Sequence, residues 1–120
     1  MLQHYVFIRY AADTPEAHVE EFCRRMRALP ARLPDIRHLQ IGRDILHDAR
    51  SWDLMLCMRF ESVAALRRYQ QHPDHQQVMA FNQPAVAEVG SVDFLLPIDE
   101  KSNSAQGSDK FGNGPCRRIG

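Results

Sequence analysis

Two segments of the chain, Leu2–Tyr10 and Trp52–Phe60, carry large apolar side chains in both phases of an alternating pattern. Successive side chains of a β-strand point to opposite faces of a sheet. Each segment therefore predicts a strand with two apolar faces, as Phe7 and Ile8 illustrate in the first one. If helices cover one face, the other face exposes more apolar surface than soluble proteins usually tolerate. This pattern predicts a homodimer in which two sheets pack face to face.

The segment after the first strand predicts a helix with a polar start. Asp13 or Thr14 can act as the N-cap, Pro15 fits the first helical turn, and Glu16 can complete a capping box. Apolar residues then recur at helical spacing as far as Leu33. The prolines at positions 30 and 34 predict a frayed or 3₁₀ finish.

The rest of the chain predicts three strands and two helices. A weaker strand is expected over Ile36–Leu46, before the clear strand Trp52–Phe60. Ser62 is placed to cap a short helix. A second helical stretch is expected from Pro73 to about Val86, and the last strand over Val89–Leu96.

The resulting order, β-α-β-β-α-α-β, is typical of an α+β fold of the ferredoxin-like kind. It predicts a four-stranded antiparallel sheet with helices on one face. Periodic apolar patterning stops near residue 99, and the remaining residues are rich in Gly, Ser, Asn and charge. We therefore predict one domain over residues 1–99 and a disordered or loosely attached tail over residues 100–120.

Charge and composition narrow the classes of partner. The chain has 15 basic and 15 acidic residues, so its formal net charge is zero and no long-range field would gather phosphates or anionic lipids. We expect no nucleic-acid and no membrane partner. The N-terminal residues do not resemble a secretory signal, so a cytoplasmic location is expected. Cys23, Cys57 and Cys116 have no CxxC or other metal-ligand spacing.

One residue and three segments resemble a known family. They are His4 on the first strand, Trp52–Ser62, Tyr69–His75 and Val92–Phe94. The Tyr-x-x-His-Pro-x-His pattern is the most specific of them. These residues resemble the stress-responsive A/B barrel (Dabb) family, over about residues 2 to 97. The resemblance implies a dimeric α+β barrel. Family members include heat-stable, stress-induced plant proteins without a settled activity, and olivetolic acid cyclase, which performs aldol chemistry without a cofactor.

The same resemblance assigns candidate site residues. His75 falls on the catalytic base of the cyclase, and His4 and Tyr69 fall on pocket positions that orient the base or the substrate. Imidazole exchanges protons near neutral pH and a phenol donates a hydrogen bond to a carbonyl, so these residue types suit enolisation. Met26 replaces a pocket tyrosine of the cyclase, which argues against the same substrate. No cofactor is expected.

Two further residues, His72 and Asp93, are either pocket or structural residues. His72 precedes Pro73 and is expected to bond to nearby backbone as a helix opens. Asp93 can orient His4 or His75, or make a backbone or salt-bridge contact instead. His72 and His75 also have a spacing that suits a metal ion, but without a third ligand we expect no metal site.

Two functions from different classes remain open at this point. In the first, His75, His4 and Tyr69 line a pocket that binds or converts a small oxo or aromatic metabolite by acid–base chemistry. In the second, the protein is a non-catalytic, stress-responsive dimer, and His4 and Tyr69 are ordinary core residues. Whether the protein is an enzyme is therefore not decided by the sequence.

Overall fold

The computed structural model describes residues 1–97, and its elements follow the predicted order. The predicted tail over residues 100–120 lies outside the described residues. Short 3₁₀ turns, Leu29–Ala31 and Gln83–Ala85, follow the first and the last helix. The elements are β1 (Leu2–Tyr10), α1 (Glu16–Ala28), β2 (His38–Arg43), β3 (Leu54–Phe60), α2 (Val63–Gln71), α3 (Pro73–Asn82) and β4 (Val86–Leu95).

The four strands form one sheet in the order β2-β3-β1-β4, and every neighbouring pair is antiparallel. The predicted α+β, ferredoxin-like sheet is therefore confirmed. The register places His4 of β1 opposite Met58 of β3 and opposite Asp93 of β4. No helix within residues 1–97 is long and apolar enough to cross a membrane.

The main core lies between the sheet and the helices. The even-numbered side chains of β1 and β3 point into it, as period-two alternation requires. Helix α1 contributes its apolar stripe to the same core. The largest fully buried apolar side chains are Phe22, Met26, Leu29, Leu54, Met58 and Phe60.

The opposite side of the sheet carries no helix and is called the open face below. Val92 and Phe94 of the edge strand β4 are 53% and 42% exposed there. Phe94 stacks on Tyr5 with ring centroids 5.7 Å apart. The strand register places eight residues on the open face: Gln3, Tyr5, Phe7, Met55, Cys57, Arg59, Val92 and Phe94.

Two local predictions were wrong, one for the start of α1 and one for the start of the last strand. Helix α1 begins at Glu16, and Pro15 is its extended N-cap residue instead of part of the first helical turn. No side chain caps the helix, so neither Asp13 nor Thr14 is an N-cap. The Thr14 N–H donates to the Ala11 carbonyl, and this turn leads the chain into the helix. The last strand begins at Val86 and not at Val89, because the 3₁₀ turn before it ends the helical segment.

The weaker strand prediction was too long. Strand β2 covers His38–Arg43 rather than Ile36–Leu46, since pairing with β3 ends where Arg43 meets Leu54. The next residues form a loop in which His47 has a positive φ of 54°. Its N–H donates to the carboxylate of Asp44 at 2.6 Å.

Ser62 caps α2 as predicted, because its hydroxyl accepts the Ala65 N–H at 3.1 Å. We expect Ser62→Ala to lower the free energy of unfolding by about 1 kcal/mol. Ser62→Asp restores an acceptor at this position and should recover most of the loss. Urea unfolding at a fixed protein concentration measures both. Equal stability of Ser62→Ala and the natural protein would contradict the capping role.

Candidate functional site

A row of aromatic rings runs from β1 across β3 to the helices. The ring centroids are 6.1 Å apart for His4 and Phe60, 5.1 Å for Phe60 and Tyr69, and 4.3 Å for Tyr69 and His75. The fold thus brings the three predicted site residues together on the helix side of the sheet. With Asp93 they are called the histidine cluster below.

His75 lies in the first turns of α3 and is half-buried. Its Nδ1 is 3.1 Å from the Gln70 carbonyl oxygen at the end of α2. A carbonyl only accepts, so Nδ1 carries the proton and neutral His75 keeps its lone pair on Nε2. Burial lowers the pKa of His75, the bond to Gln70 partly offsets this, and nearby His4 lowers the pKa further. The ring is therefore a neutral base near pH 7.

Tyr69 lies between Phe60 and His75 and is 3% exposed. Burial raises the pKa of the phenol well above its ordinary value, so the hydroxyl stays protonated at neutral pH. Within residues 1–97 the hydroxyl makes no hydrogen bond. It is therefore available to donate a hydrogen bond to a ligand oxygen.

His4 and Asp93 form a cross-strand pair near the N-terminal end of β1. His4 Nδ1 contacts Asp93 Oδ1 directly. The His4 side chain is 9% exposed and the Asp93 side chain 39%. A carboxylate on Nδ1 fixes the orientation of an imidazole and directs its Nε2 elsewhere. Asp93 thus contacts His4, and this contact fits both the orienting role and the salt-bridge contact expected of Asp93.

The contacts of His72 differ from those of His75. His72 is the N-cap of α3, and its Nδ1 accepts the Asp74 N–H at 3.0 Å, with Pro73 as the first helical residue. This is the local backbone contact that the sequence predicts for His72. Its Nδ1 and that of His75 are engaged in separate contacts. Within residues 1–97 no group of three or more His, Cys, Asp and Glu residues could hold a metal ion.

Two further residues contribute to this region, Phe60 and Gln70. Phe60 is fully buried and separates His4 from Tyr69, so it fixes their spacing. The Gln70 carbonyl selects the tautomer of His75. Neither has a sequence signal, since one is an ordinary strand phenylalanine and the other a backbone atom.

A second polar network, also missed, lies at the opposite end of β1. The Asn82 Oδ1 accepts from the Tyr10 hydroxyl at 2.7 Å and contacts His18 Nε2 at 3.0 Å. Burial raises the pKa of Tyr10 to about 12 even though the bond to Asn82 lowers it. The His18 ring stacks on Phe81 at 4.5 Å. This network joins β1, α1 and α3 and satisfies the side-chain oxygen of the buried Asn82.

Three clefts of about 420, 520 and 450 Å³ lie elsewhere on the surface, and none of them is lined by His4, Tyr69 or His75. The 520 Å³ cleft is the most apolar, and it is bordered by Phe7, Trp52 and Met55 beside the open face. The histidine cluster is thus distinct from these clefts.

Acid should destabilise the protein through two half-buried histidines. Burial lowers the pKa of His75 and of His38 below the ordinary 6.5, so below that value the unfolded chain binds more protons than the folded one. The free energy of unfolding should therefore fall between about pH 7 and pH 5. Urea unfolding at several pH values in this range gives the free energy of unfolding as a function of pH. The slope of this pH dependence should be shallower for His75→Gln than for the natural protein. An equal slope would show that His75 titrates normally.

Solved structures share this architecture. A dimeric ferredoxin-like protein of unknown function from Thermobifida fusca is 26% identical, with a TM-score of 0.72 over 79% of this chain and 90% of that one. The hydroxynitrile lyase from Passiflora edulis is 17% identical, with a TM-score of 0.72 over 81% and 94%. A Dabb family protein from Mesorhizobium loti is 20% identical, with a TM-score of 0.67 over 80% and 96%.

No curated protein matches the sequence of this chain. The sequence model of the stress responsive A/B barrel domain, by contrast, matches residues 2–96, which include all four strands and the histidine cluster. With the ferredoxin-like sheet and the Tyr-x-x-His-Pro-x-His segment in place, the chain belongs to the stress responsive A/B barrel (Dabb) family.

Proposed function

We propose that the protein is a homodimeric Dabb protein whose histidine cluster binds and converts a small oxo or aromatic compound by acid–base chemistry without a cofactor. The observation that carries the proposal is the pairing of two complementary groups 4.3 Å apart, measured between ring centroids. His75 offers an unprotonated Nε2, and Tyr69 offers a protonated hydroxyl that lacks a partner within residues 1–97. A base beside a hydrogen-bond donor is what enolisation of a ketone requires.

The proposed step is a proton transfer. His75 Nε2 takes a proton from the carbon next to a carbonyl, the C–H electron pair forms the new C=C bond, and the carbonyl oxygen gains the negative charge. The Tyr69 hydroxyl donates a hydrogen bond to that oxygen. The His75 imidazolium later returns the proton to carbon or to a leaving oxygen. His4, held by Asp93, is a second donor or acceptor at the edge of the same cluster.

The homodimer is supported by the open face and by a relative. Val92 and Phe94 are large, apolar and exposed on a face that no helix covers. The protein from Thermobifida fusca that is 26% identical to this chain is described as dimeric. Apolar burial gains about 25 cal/mol per Å², so packing two such faces favours association. The strand positions Phe7 and Met55 lie on this face as well.

A ligand screen tests the proposal. Small aromatic ketones, β-keto acids and phenols would be added singly to ¹⁵N-labelled protein, with the His75 and Tyr69 signals as the readout. For ketones that bind, exchange of the α-protons with deuterium from solvent would be followed by proton NMR. We expect saturable shifts at both residues and exchange faster than in the His75→Gln variant. If no compound perturbs the cluster, the non-catalytic stress-responsive dimer becomes the better account.

Tyr69→Phe separates the two roles in this scheme. It keeps the ring that packs between Phe60 and His75 and removes the hydroxyl alone. We expect the rate of α-proton exchange to fall by about 10²–10³, the usual effect of losing one donor to a developing oxyanion. The His75 tautomer should not change. An unchanged exchange rate would mean that Tyr69 only packs.

A further inference from the structure

The helix side of the edge strand β2 is only partly covered. Leu39 and Ile41 point to that side, because the register places them opposite core residues of β3, and both remain half-buried. The cleft of about 450 Å³ lies here, between β2 and the end of α1, and is called the β2 cleft below. Ligand sites commonly have volumes of about 300–1,000 Å³, so the β2 cleft is large enough for a small molecule.

The apolar part of the β2 cleft is aliphatic. It is formed mainly by Ile36, Leu39 and Ile41, and no Phe, Tyr or Trp of residues 1–97 lines it. Ile36 belongs to the buried core, and the other two side chains pack against that core while keeping exposed area. An aliphatic chain that covers this exposed area removes it from water, which favours binding.

Among residues 1–97, the ionisable residues that line the β2 cleft are all basic: Arg27, Arg37 and His38. The clefts of about 420 and 520 Å³, by contrast, both include the carboxylates of Asp44 and Asp48. Of these three clefts, the β2 cleft is therefore the one whose charge favours an anion.

The positive charge of the β2 cleft lies on its arginines. Burial lowers the pKa of His38 and the charge of Arg59 lowers it further, so the His38 ring is neutral at pH 7. Arg37 already donates to Glu61 at 2.9 Å. The remaining cation of the lining is Arg27.

Arg27 has no partner within residues 1–97. Its side chain makes no hydrogen bond or ion pair there, although Arg24 and Arg25 of the same helix both donate to Glu21. A guanidinium has five N–H donors, and a carboxylate accepts two of them side by side. The β2 cleft therefore combines an unpaired guanidinium with an exposed aliphatic surface.

We infer that the β2 cleft binds a small carboxylate with an aliphatic chain, such as a medium-chain fatty acid. The Arg27 guanidinium binds the carboxylate, and Leu39 and Ile41 contact the chain. None of the residues that line the β2 cleft belongs to the histidine cluster, which lies on β1, α2, α3 and β4. The inference therefore goes beyond the proposed function and does not depend on it.

Sodium octanoate, at concentrations below micelle formation, is the probe. The protein would be labelled at the methyl groups of Ile and Leu, and the signals of Ile36, Leu39 and Ile41 would be followed by NMR. We expect saturable shifts at all three residues. The Kd for octanoate should be at least about tenfold lower than that for octan-1-ol, which has the chain without the charge. Acetate lacks the chain and octylamine carries the opposite charge, so neither should compete with octanoate at equal concentration.

Arg27→Gln tests the charged part of the site. It should raise the Kd for octanoate about tenfold or more and remove most of the salt dependence of binding. Arg27 also lies in the last turn of α1, where a cation stabilises the helix dipole, and Arg27→Lys keeps that charge. Arg27→Lys should therefore recover part of the affinity. Arg24→Gln, on the same helix but outside the β2 cleft, is the matched control and should leave the Kd unchanged.

A second measurement needs no variant. Intermolecular nuclear Overhauser effects in the natural protein report which methyl groups lie beside the ligand. We expect them between the terminal methyl of octanoate and the methyl groups of Leu39 and Ile41. Their absence at saturating octanoate would contradict binding in the β2 cleft, even if Arg27→Gln failed to fold.

Other results would also overturn the inference. An equal Kd for octanoate and octan-1-ol, or for the natural protein and Arg27→Gln, would show an apolar surface without a carboxylate site. Shifts that never saturate would show non-specific contact only. Octanoate shifts confined to Tyr69 and His75 would assign the ligand to the histidine cluster. Failure of the ketone screen with octanoate binding intact would remove the proposed function and leave the β2 cleft as a carboxylate site.

Discussion

His75→Gln is expected to slow α-proton exchange of a bound ketone by about 10²–10⁴, the usual contribution of a positioned general base. Glutamine keeps a polar side chain of similar reach but cannot accept and return a proton at neutral pH. Binding of the ketone should change far less than the rate, because the Tyr69 hydroxyl remains in place. The free energy of unfolding at pH 7 should change little, since the replaced ring is half-buried and neutral.

The control for this variant is His47→Gln. The His47 side chain is 73% exposed in the loop after β2 and lies outside the histidine cluster. The His47→Gln variant should exchange the α-protons of the ketone at the same rate as the natural protein. If both variants lose activity equally, or if His75→Gln unfolds the protein, His75 is a structural residue and the enzyme proposal loses its base.

Val92→Asp is expected to dissociate the dimer. Val92 is 53% exposed on the open face of a single subunit. In a dimer built on that face an aspartate would be a buried charge without a partner, which costs about 3–5 kcal/mol. Because 1.4 kcal/mol is a factor of ten, the Kd should rise by more than about 100-fold. Light scattering and sedimentation would show a monomer at concentrations where the natural protein is a dimer.

A matched variant separates loss of the interface from general damage. Val63 is 51% exposed, close to the value for Val92, but it is the first residue of α2 on the helical side of the sheet. Val63→Asp places the same charge on a surface that the proposed dimer leaves in solvent, and its mass should stay that of a dimer. Equal dissociation by both variants, or by neither, would contradict an interface on the open face.

The fold could be predicted well where a local rule decides the structure. Strand β1 follows from alternation alone, and its bounds agree with the structure. The Ser62 cap follows from a serine at a helix start. The prediction failed at Asp13 and Thr14, where an N-cap was expected, because the turn from Thr14 to Ala11 enters the helix without a side-chain cap.

The site was predictable only in part. The resemblance to the family supplied His75, His4 and Tyr69, while their spacing along the chain did not, since they lie on three different elements. Their proximity depends on the β1–β3 register and on the packing of Phe60 against Tyr69. A period-two or helical pattern carries no information about either contact.

The protonation state of His75 tests the central claim most directly. Long-range ¹H–¹⁵N correlation spectra of the imidazole, recorded over a pH titration, report both the tautomer and the pKa of the ring. We predict a neutral ring at pH 7 with the proton on Nδ1, held by the Gln70 carbonyl, and a pKa below the ordinary 6.5. A His75 that is charged at pH 7, or a neutral ring with its proton on Nε2, would contradict the account, because neither form offers the Nε2 lone pair that the proposed base requires.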